Sequence, residues 1–182
     1  MSGIPGLSYE IRDDVLGPDD LQALDVMTTP QFAWFYQKTV ADLDTALDDL
    51  NDFQFTHLMY ENHQVNSQLF PLLAPLFKVL DVACLIRAKA NLQPRTEKRF
   101  FPAFHVDQPF YRRSKAAVFY LNTNDGITRL KVDGKTKDVE SVRNRLLIFD
   151  NLIEHTGSTC TDQKYRCVIN INFIDKQFIN AE

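Results

Sequence analysis

The chain has little cysteine, no surplus of basic charge and no long apolar run, and each shortage removes a class of function. Its three cysteines, Cys84, Cys160 and Cys167, are odd in number and form no Cys-x-x-Cys pair. Neither a disulfide framework nor a zinc knuckle is indicated, and a reducing cytoplasm is the expected setting. No stretch approaches the roughly 20 apolar residues needed to cross a bilayer. The N-terminal Met-Ser-Gly-Ile-Pro-Gly-Leu-Ser also lacks a basic region followed by an apolar one. A soluble, unexported protein without a membrane partner is expected. With 20 basic and 24 acidic side chains the net charge is −4, which disfavours a general affinity for nucleic acid or anionic lipid. There is no internal repeat and no low-complexity tract.

What remains is an ordinary globular composition. A length of 182 residues with 45% hydrophobic content suits one domain with a sizeable core, so residues 1–182 are expected to fold as a single unit. The first eighty or so residues read as mainly helical apart from two short strands, near Leu7 to Ile11 and Phe53 to Glu61. Gly17-Pro18-Asp19-Asp20 has the form of a helix start, with proline and carboxylates in the first turn, and Thr29-Pro30 suggests a second one before Phe32, Trp34 and Phe35. Val40, Leu43, Ala46, Leu47 and Leu50 recur at helical spacing between Thr39 and Leu50, with aspartates on the other side. Ser67 can cap a further helix carrying Leu72, Leu73, Leu76, Phe77 and Leu80.

Beyond Asp81 the period changes from helical to two. Cys84 to Gln93 alternates apolar Cys84, Ile86, Ala88, Ala90 and Leu92 with polar Arg87, Lys89, Asn91 and Gln93. Ala116 to Asn122 is another strand, and Asp125-Gly126 is expected to turn it tightly into Ile127 to Val132. Asp133-Gly134 turns the chain again toward Val139. Strands follow at Leu146 to Phe149 and Tyr165 to Phe173. Short strands with regular turn signals predict an antiparallel sandwich or barrel.

Chemistry concentrates in that second half. His105 and Asp107, in Phe-His-Val-Asp-Gln, stand at i and i+2 of a segment read as a strand, so both project from one face. Such a pair arises by chance in a chain of this composition with a probability of roughly 0.4, and its weight comes from its surroundings. His155 follows the buried run Leu146 to Phe149, and Arg166 opens the final strand, whose alternation puts Arg166, Val168, Asn170 and Asn172 on one face and Cys167, Ile169, Ile171 and Phe173 on the other. Two imidazoles and one carboxylate occupy one side of an octahedral ion and leave the opposite positions open, which suits non-haem Fe(II). A guanidinium facing a barrel interior needs an anion, either a dicarboxylate ligand or an internal acidic partner. Tyr120 shares a face with Val118 and Asn122, from which its hydroxyl can donate to the same carboxylate. His57 and His63 have no acidic partner at useful spacing and read as structural.

Residues 83 to 175 resemble the Fe(II)- and 2-oxoglutarate-dependent dioxygenases, in particular the prolyl 4-hydroxylase-like branch and its small phage-encoded relatives. The resemblance rests on four motifs in order: His105-x-Asp107, the strand Phe119-Tyr120-Leu121-Asn122 with the following Gly126 to Leu130, the distal His155, and Arg166. It implies a mainly β fold with supporting helices: a double-stranded β-helix (jelly-roll) catalytic core over 83–175, preceded by a largely helical N-terminal region over 1–82 packed on the sheet. It also implies that His105, Asp107 and His155 bind iron, with no catalytic residue beyond them, while Arg166, Tyr120 and Asn91 contact 2-oxoglutarate. Gln93 stands where relatives often have tyrosine, leaving open whether Asn91 or Gln93 contacts the cosubstrate. The implied reaction consumes 2-oxoglutarate and O2, with ascorbate as an accessory reductant, and hydroxylates an unactivated C–H bond. Basic loops around Arg95, Lys98, Arg99, Arg112, Arg113 and Lys115 flank the metal pair. A peptide or protein, with a prolyl residue as the leading substrate, is favoured over nucleic acid. The competing readings are an oxidative nucleic-acid dealkylase and a non-enzymatic metal-binding jelly roll.

Overall fold

A computed structural model describes residues 7–40, 49–111 and 113–179. The helix expected over Thr39 to Leu50 lies largely outside the described residues, as does Arg112. Eleven strands are described: β1 (Tyr9–Arg12), β2 (Phe35–Gln37), β3 (Gln54–Glu61), β4 (Gln64–Val65), β5 (Val82–Pro94), β6 (Lys115–Tyr120), β7 (Asn124–Val132), β8 (Lys135–Ser141), β9 (Leu146–Asp150), β10 (His155–Gly157) and β11 (Tyr165–Asp175). The helices are short: α1 (Pro18–Ala23), α2 (Ala74–Val79) and α3 (Lys176–Ile179), with 3₁₀ turns at Leu24–Thr28 and Phe70–Leu73.

All strand pairs are antiparallel. The larger sheet runs β1-β9-β6-β11-β5-β3-β2, with β4 paired to β3, and the smaller runs β10-β7-β8. Between the sheets lies one apolar layer, in which Ala116, Val118, Tyr120, Leu147, Phe149 and Val168 meet Leu130, Val132 and Val139. The opposite face of the larger sheet carries the main core. There Phe119, Ile148, Cys167, Ile169, Ile171 and Phe173 pack against Leu24, Met27, Leu73, Leu76 and Leu80. The strand period alone sorts Cys167, Ile169, Ile171 and Phe173 from Val168, and short N-terminal helical turns pack on the outer face.

Three local expectations change. Thr29-Pro30 ends a helix rather than starting one: Thr29 is extended, with ψ of 156°, because the proline ring disfavours helical geometry in the residue before it. The chain then pairs Tyr36 with Phe55 as β2 against β3, so the N-terminal third contributes four strands as well as short helices. Second, Asp125-Gly126 makes no hairpin. β6 and β7 belong to different sheets, and the chain crosses from one to the other at Leu121 to Thr123. Third, His105 to Asp107 is reduced to a single bridge from His105 to His155. By contrast, Asp133 and Gly134, with φ of 50° and 71°, form the two-residue turn joining β7 to β8, as their sequence predicts.

Candidate metal centre and its pocket

The bridge between His105 and His155 fixes both backbones through reciprocal N–H to O=C bonds of 3.0 Å. Each imidazole is then oriented by its own turn: Nδ1 of His105 lies 3.3 Å from the Ala103 carbonyl, and Nδ1 of His155 lies 3.2 Å from that of Ile153. A carbonyl only accepts, so Nδ1 carries the proton and Nε2 is left with its lone pair. Both Nε2 atoms face Asp107, at 3.8 Å from Oδ1 for His105 and 3.9 Å from Oδ2 for His155. The three potential ligand atoms lie within 4.8 Å of one another. Metal bonds of about 2.1 Å imply adjacent donors about 3 Å apart, so side-chain shifts of about 1 Å bring all three onto one ion.

The protonation states suit ligation. Burial alone would raise the Asp107 pKa, but cationic neighbours, Arg87 and Lys89 among them, hold it well below the ordinary carboxylate range. Burial lowers that of His155 to about 4, so the imidazole is neutral near pH 7. Asp107 is also clamped. Its Oδ2 accepts from Nδ2 of Asn170 at 2.8 Å and of Asn172 at 3.1 Å, while Arg87 Nη2 lies 3.1 Å from Oδ1. Arg87 is braced in turn by donating Nε to Asn172 Oδ1 at 3.2 Å. The alternation of β5 and β11 turns these side chains inward. Their role as a clamp was not legible, because it depends on the cross-strand register of Arg87 with Asn172.

Arg166 is 4% exposed and lines the same cavity as His105, Asp107 and His155, between the two sheets. Its Nε donates to Ser141 Oγ at 2.9 Å, Nη2 to Thr128 Oγ1 at 2.7 Å and Nη1 to Gln93 Oε1 at 3.2 Å. All three acceptors are neutral, and among the described residues no ion pair involves Arg166. Two glycines make room for it. A Cβ on Gly126 would stand 2.7 Å from Arg166 Cδ, and one on Gly157 would stand 2.9 Å from Nη1. Gly126 is therefore needed for clearance and not for a turn.

Asn91 and Gln93 both line the cavity. Gln93 is committed to Arg166 and to the Gly157 carbonyl, whereas Asn91 Oδ1 is buried with no partner among the described residues. Tyr120 is fully buried, donates its hydroxyl to Thr128 Oγ1 at 2.8 Å, and sets its ring 5.5 Å from the guanidinium carbon. It is not among the residues lining the cavity, where Thr128 stands in front of it. His57 bonds the Ala33 carbonyl and Ser67 Oγ and packs on Phe32, in keeping with a structural role.

The fold that brings this trio and Arg166 to one cavity has counterparts of known structure. A prolyl-4-hydroxylase from Pseudomonas putida superposes with a TM-score of 0.62 at 17% identity, covering 93% of this chain and 94% of that one. An oxidoreductase of the 2OG-Fe(II) oxygenase family from Burkholderia pseudomallei gives 0.66 at 10% identity, covering 92% and 85%. A prolyl hydroxylase from Trichoplax adhaerens, in complex with a hypoxia inducible factor peptide fragment, gives 0.60 at 13%, covering 96% and 87%. The chain has the 2OG-Fe(II) oxygenase fold. No protein-family model and no curated protein matches the sequence.

Within this fold the donor set fits a hard divalent cation with open positions. Asn170 Oδ1 is buried beside Asp107 with no partner among the described residues, a polar atom left open toward the donor set. The charge of Arg166 fits an anionic cosubstrate in the same cavity.

Proposed function

We propose that the protein is an Fe(II)- and 2-oxoglutarate-dependent oxygenase that hydroxylates a C–H bond of a peptide or protein substrate. The observation that carries this reading is Arg166: a buried guanidinium with no counter-ion among the described residues, aimed into the cavity that also holds the trio. A purely structural metal site has no use for it.

In this reading His105 and His155 bind iron through Nε2 and Asp107 through its carboxylate, with Asn170, Asn172 and Arg87 keeping that carboxylate in place. Bound iron and 2-oxoglutarate supply the oxidising power, converting 2-oxoglutarate, O2 and R–H to succinate, CO2 and R–OH. Arg166 holds the far carboxylate of the cosubstrate. Ser141, Gln93 and Thr128 keep its guanidinium in plane, and Tyr120 acts through Thr128. Asn91 supplies an amide to the cosubstrate from the neighbouring strand. Val118 and Val168 form the apolar wall of the cavity and limit water around the reacting centre. No side chain is assigned as a general acid or base.

A cytoplasmic setting accords with three unpaired cysteines. No helix of the described residues is long and apolar enough to cross a membrane. The test is to measure succinate from purified protein given Fe(II), ascorbate and 2-oxoglutarate, first alone and then with peptide libraries. Wild-type protein with full iron occupancy that neither binds nor consumes 2-oxoglutarate overturns the reading.

A further inference from the structure

A second cleft, of about 320 Å³, opens onto the trio from the β2 and β3 side, sharing His105 and Asp107 with the inner cavity. Along β3 the residues facing it are Gln54, Thr56 and Leu58, followed out of phase by Glu61. Strict alternation would turn Glu61 to the other face of the sheet. A bulge between Leu58 and Tyr60 adds the residue that re-aims it. Glu61 is then pinned on both sides, pairing with Arg87 of β5 and with Gln64 across the turn at Asn62 and His63, whose φ values are 53° and 60°.

Its cross-strand neighbour does not neutralise it. The Arg87 guanidinium reaches inward to Asp107 and Asn172, and the half-buried Glu61 carboxylate makes no hydrogen bond or ion pair with any described residue. Water can solvate it while the cleft is open. A substrate filling the cleft displaces that water, which is unfavourable unless it brings a donor of opposite charge. The rest of the cleft limits what that ligand is. Leu58 and Val106 offer apolar surface for an aliphatic stem, while Arg87 and Lys89 near the trio repel a cation from that end. Neighbouring strands lie about 4.8 Å apart. Glu61 is two strands from Asn172, so its backbone stands roughly 10 Å from the residue that clamps Asp107.

We propose that this cleft is a substrate subsite in which Glu61 reads a protonated amine or guanidinium at the end of an aliphatic stem, as in a lysyl or arginyl side chain of a polypeptide. The cation sits outward on Glu61 and the carbon to be oxidised lies toward the trio, an assignment of ends that rests on the oxygenase reading.

The test uses the whole protein loaded with Mn(II) and 2-oxoglutarate and three probes: N-acetyl-lysine methylamide, its uncharged norleucine counterpart and the glutamate analogue. Calorimetric titration should show at least tenfold tighter binding of the lysine probe than of the norleucine probe. Glu61→Gln should erase that gap, Glu61→Asp should retain most of it, and Glu61→Lys should favour the glutamate probe. Equal affinities on wild-type protein, or a gap that survives in Glu61→Gln, overturns the proposal. Succinate release by wild-type protein is measured in parallel. Its absence removes the oxygenase reading and leaves the charge comparison standing, so the two fail separately.

Discussion

Replacing Arg166 by methionine separates ligand binding from stability. In the ligand-free protein the guanidinium donates to Ser141, Gln93 and Thr128, each bond to a charged donor being worth about 1.5 to 3 kcal/mol. Against this stands the desolvation of a buried cation with no acidic partner among the described residues, several kcal/mol, which methionine relieves while filling much of the space. The two effects nearly cancel, so unfolding by urea should change by no more than about 2 kcal/mol. Binding has no such compensation. Losing one partner of a buried, hydrogen-bonded charge pair costs about 2 to 5 kcal/mol, a weakening of at least roughly 30-fold for 2-oxoglutarate. The assay is titration of 2-oxoglutarate and of pyruvate, which lacks the far carboxylate, into Mn(II)-loaded protein. Wild-type protein should prefer 2-oxoglutarate strongly and Arg166→Met should not discriminate. A variant that binds 2-oxoglutarate within threefold of wild type refutes the assignment.

Other expectations follow from the same contacts. Gly157→Ala, whose new methyl would stand 2.9 Å from Arg166 Nη1, should weaken 2-oxoglutarate by about tenfold through a displaced guanidinium, read in the same titration. Gly126→Ala meets Asn124 and the Thr159 carbonyl as well as Arg166 and should lower stability by about 1 to 3 kcal/mol in urea denaturation. Asn170→Ala removes a donor to Asp107 and should weaken Mn(II) by about 10- to 100-fold, measured by calorimetry without cosubstrate. Burial pushes the Cys167 thiol up to about 12 and raises that of Cys160, while Cys84 is exposed. Native protein should therefore react with iodoacetamide at Cys84 alone at pH 8.5, the other two labelling only after unfolding, as peptide mapping would show.

The strands of the second half were legible because period-two alternation in Cys84 to Gln93 and Arg166 to Phe173 separates the side chains of the two sheet faces, although both faces of β11 are buried. So was the turn at Asp133-Gly134, where the residue types meet the dihedral requirement. Less legible were features that depend on partners distant in sequence. Phe35 to Gln37 becomes a strand through pairing with β3, and Asp125-Gly126 has the composition of a hairpin turn yet serves to clear space for Arg166. In the site, His105, Asp107, His155 and Arg166 were placed by motif order, and the fold brings them to one cavity, although His105 to Asp107 is a single bridge and not the strand expected. Arg87, Asn172, Ser141 and Thr128 were not singled out, since each acquires its role from cross-strand register, which no local pattern encodes. The Glu61 orientation depends on a bulge that alternation alone would misread.

The most direct measurement is a crystal structure of the protein grown anaerobically with Mn(II) and 2-oxoglutarate. The expected result is one ion within about 2.0 to 2.3 Å of His105 Nε2, the Asp107 carboxylate and His155 Nε2, with the far carboxylate of 2-oxoglutarate in a two-pronged contact with Arg166. An ion bound elsewhere, or a cosubstrate whose far carboxylate leaves Arg166 unengaged, would contradict the account.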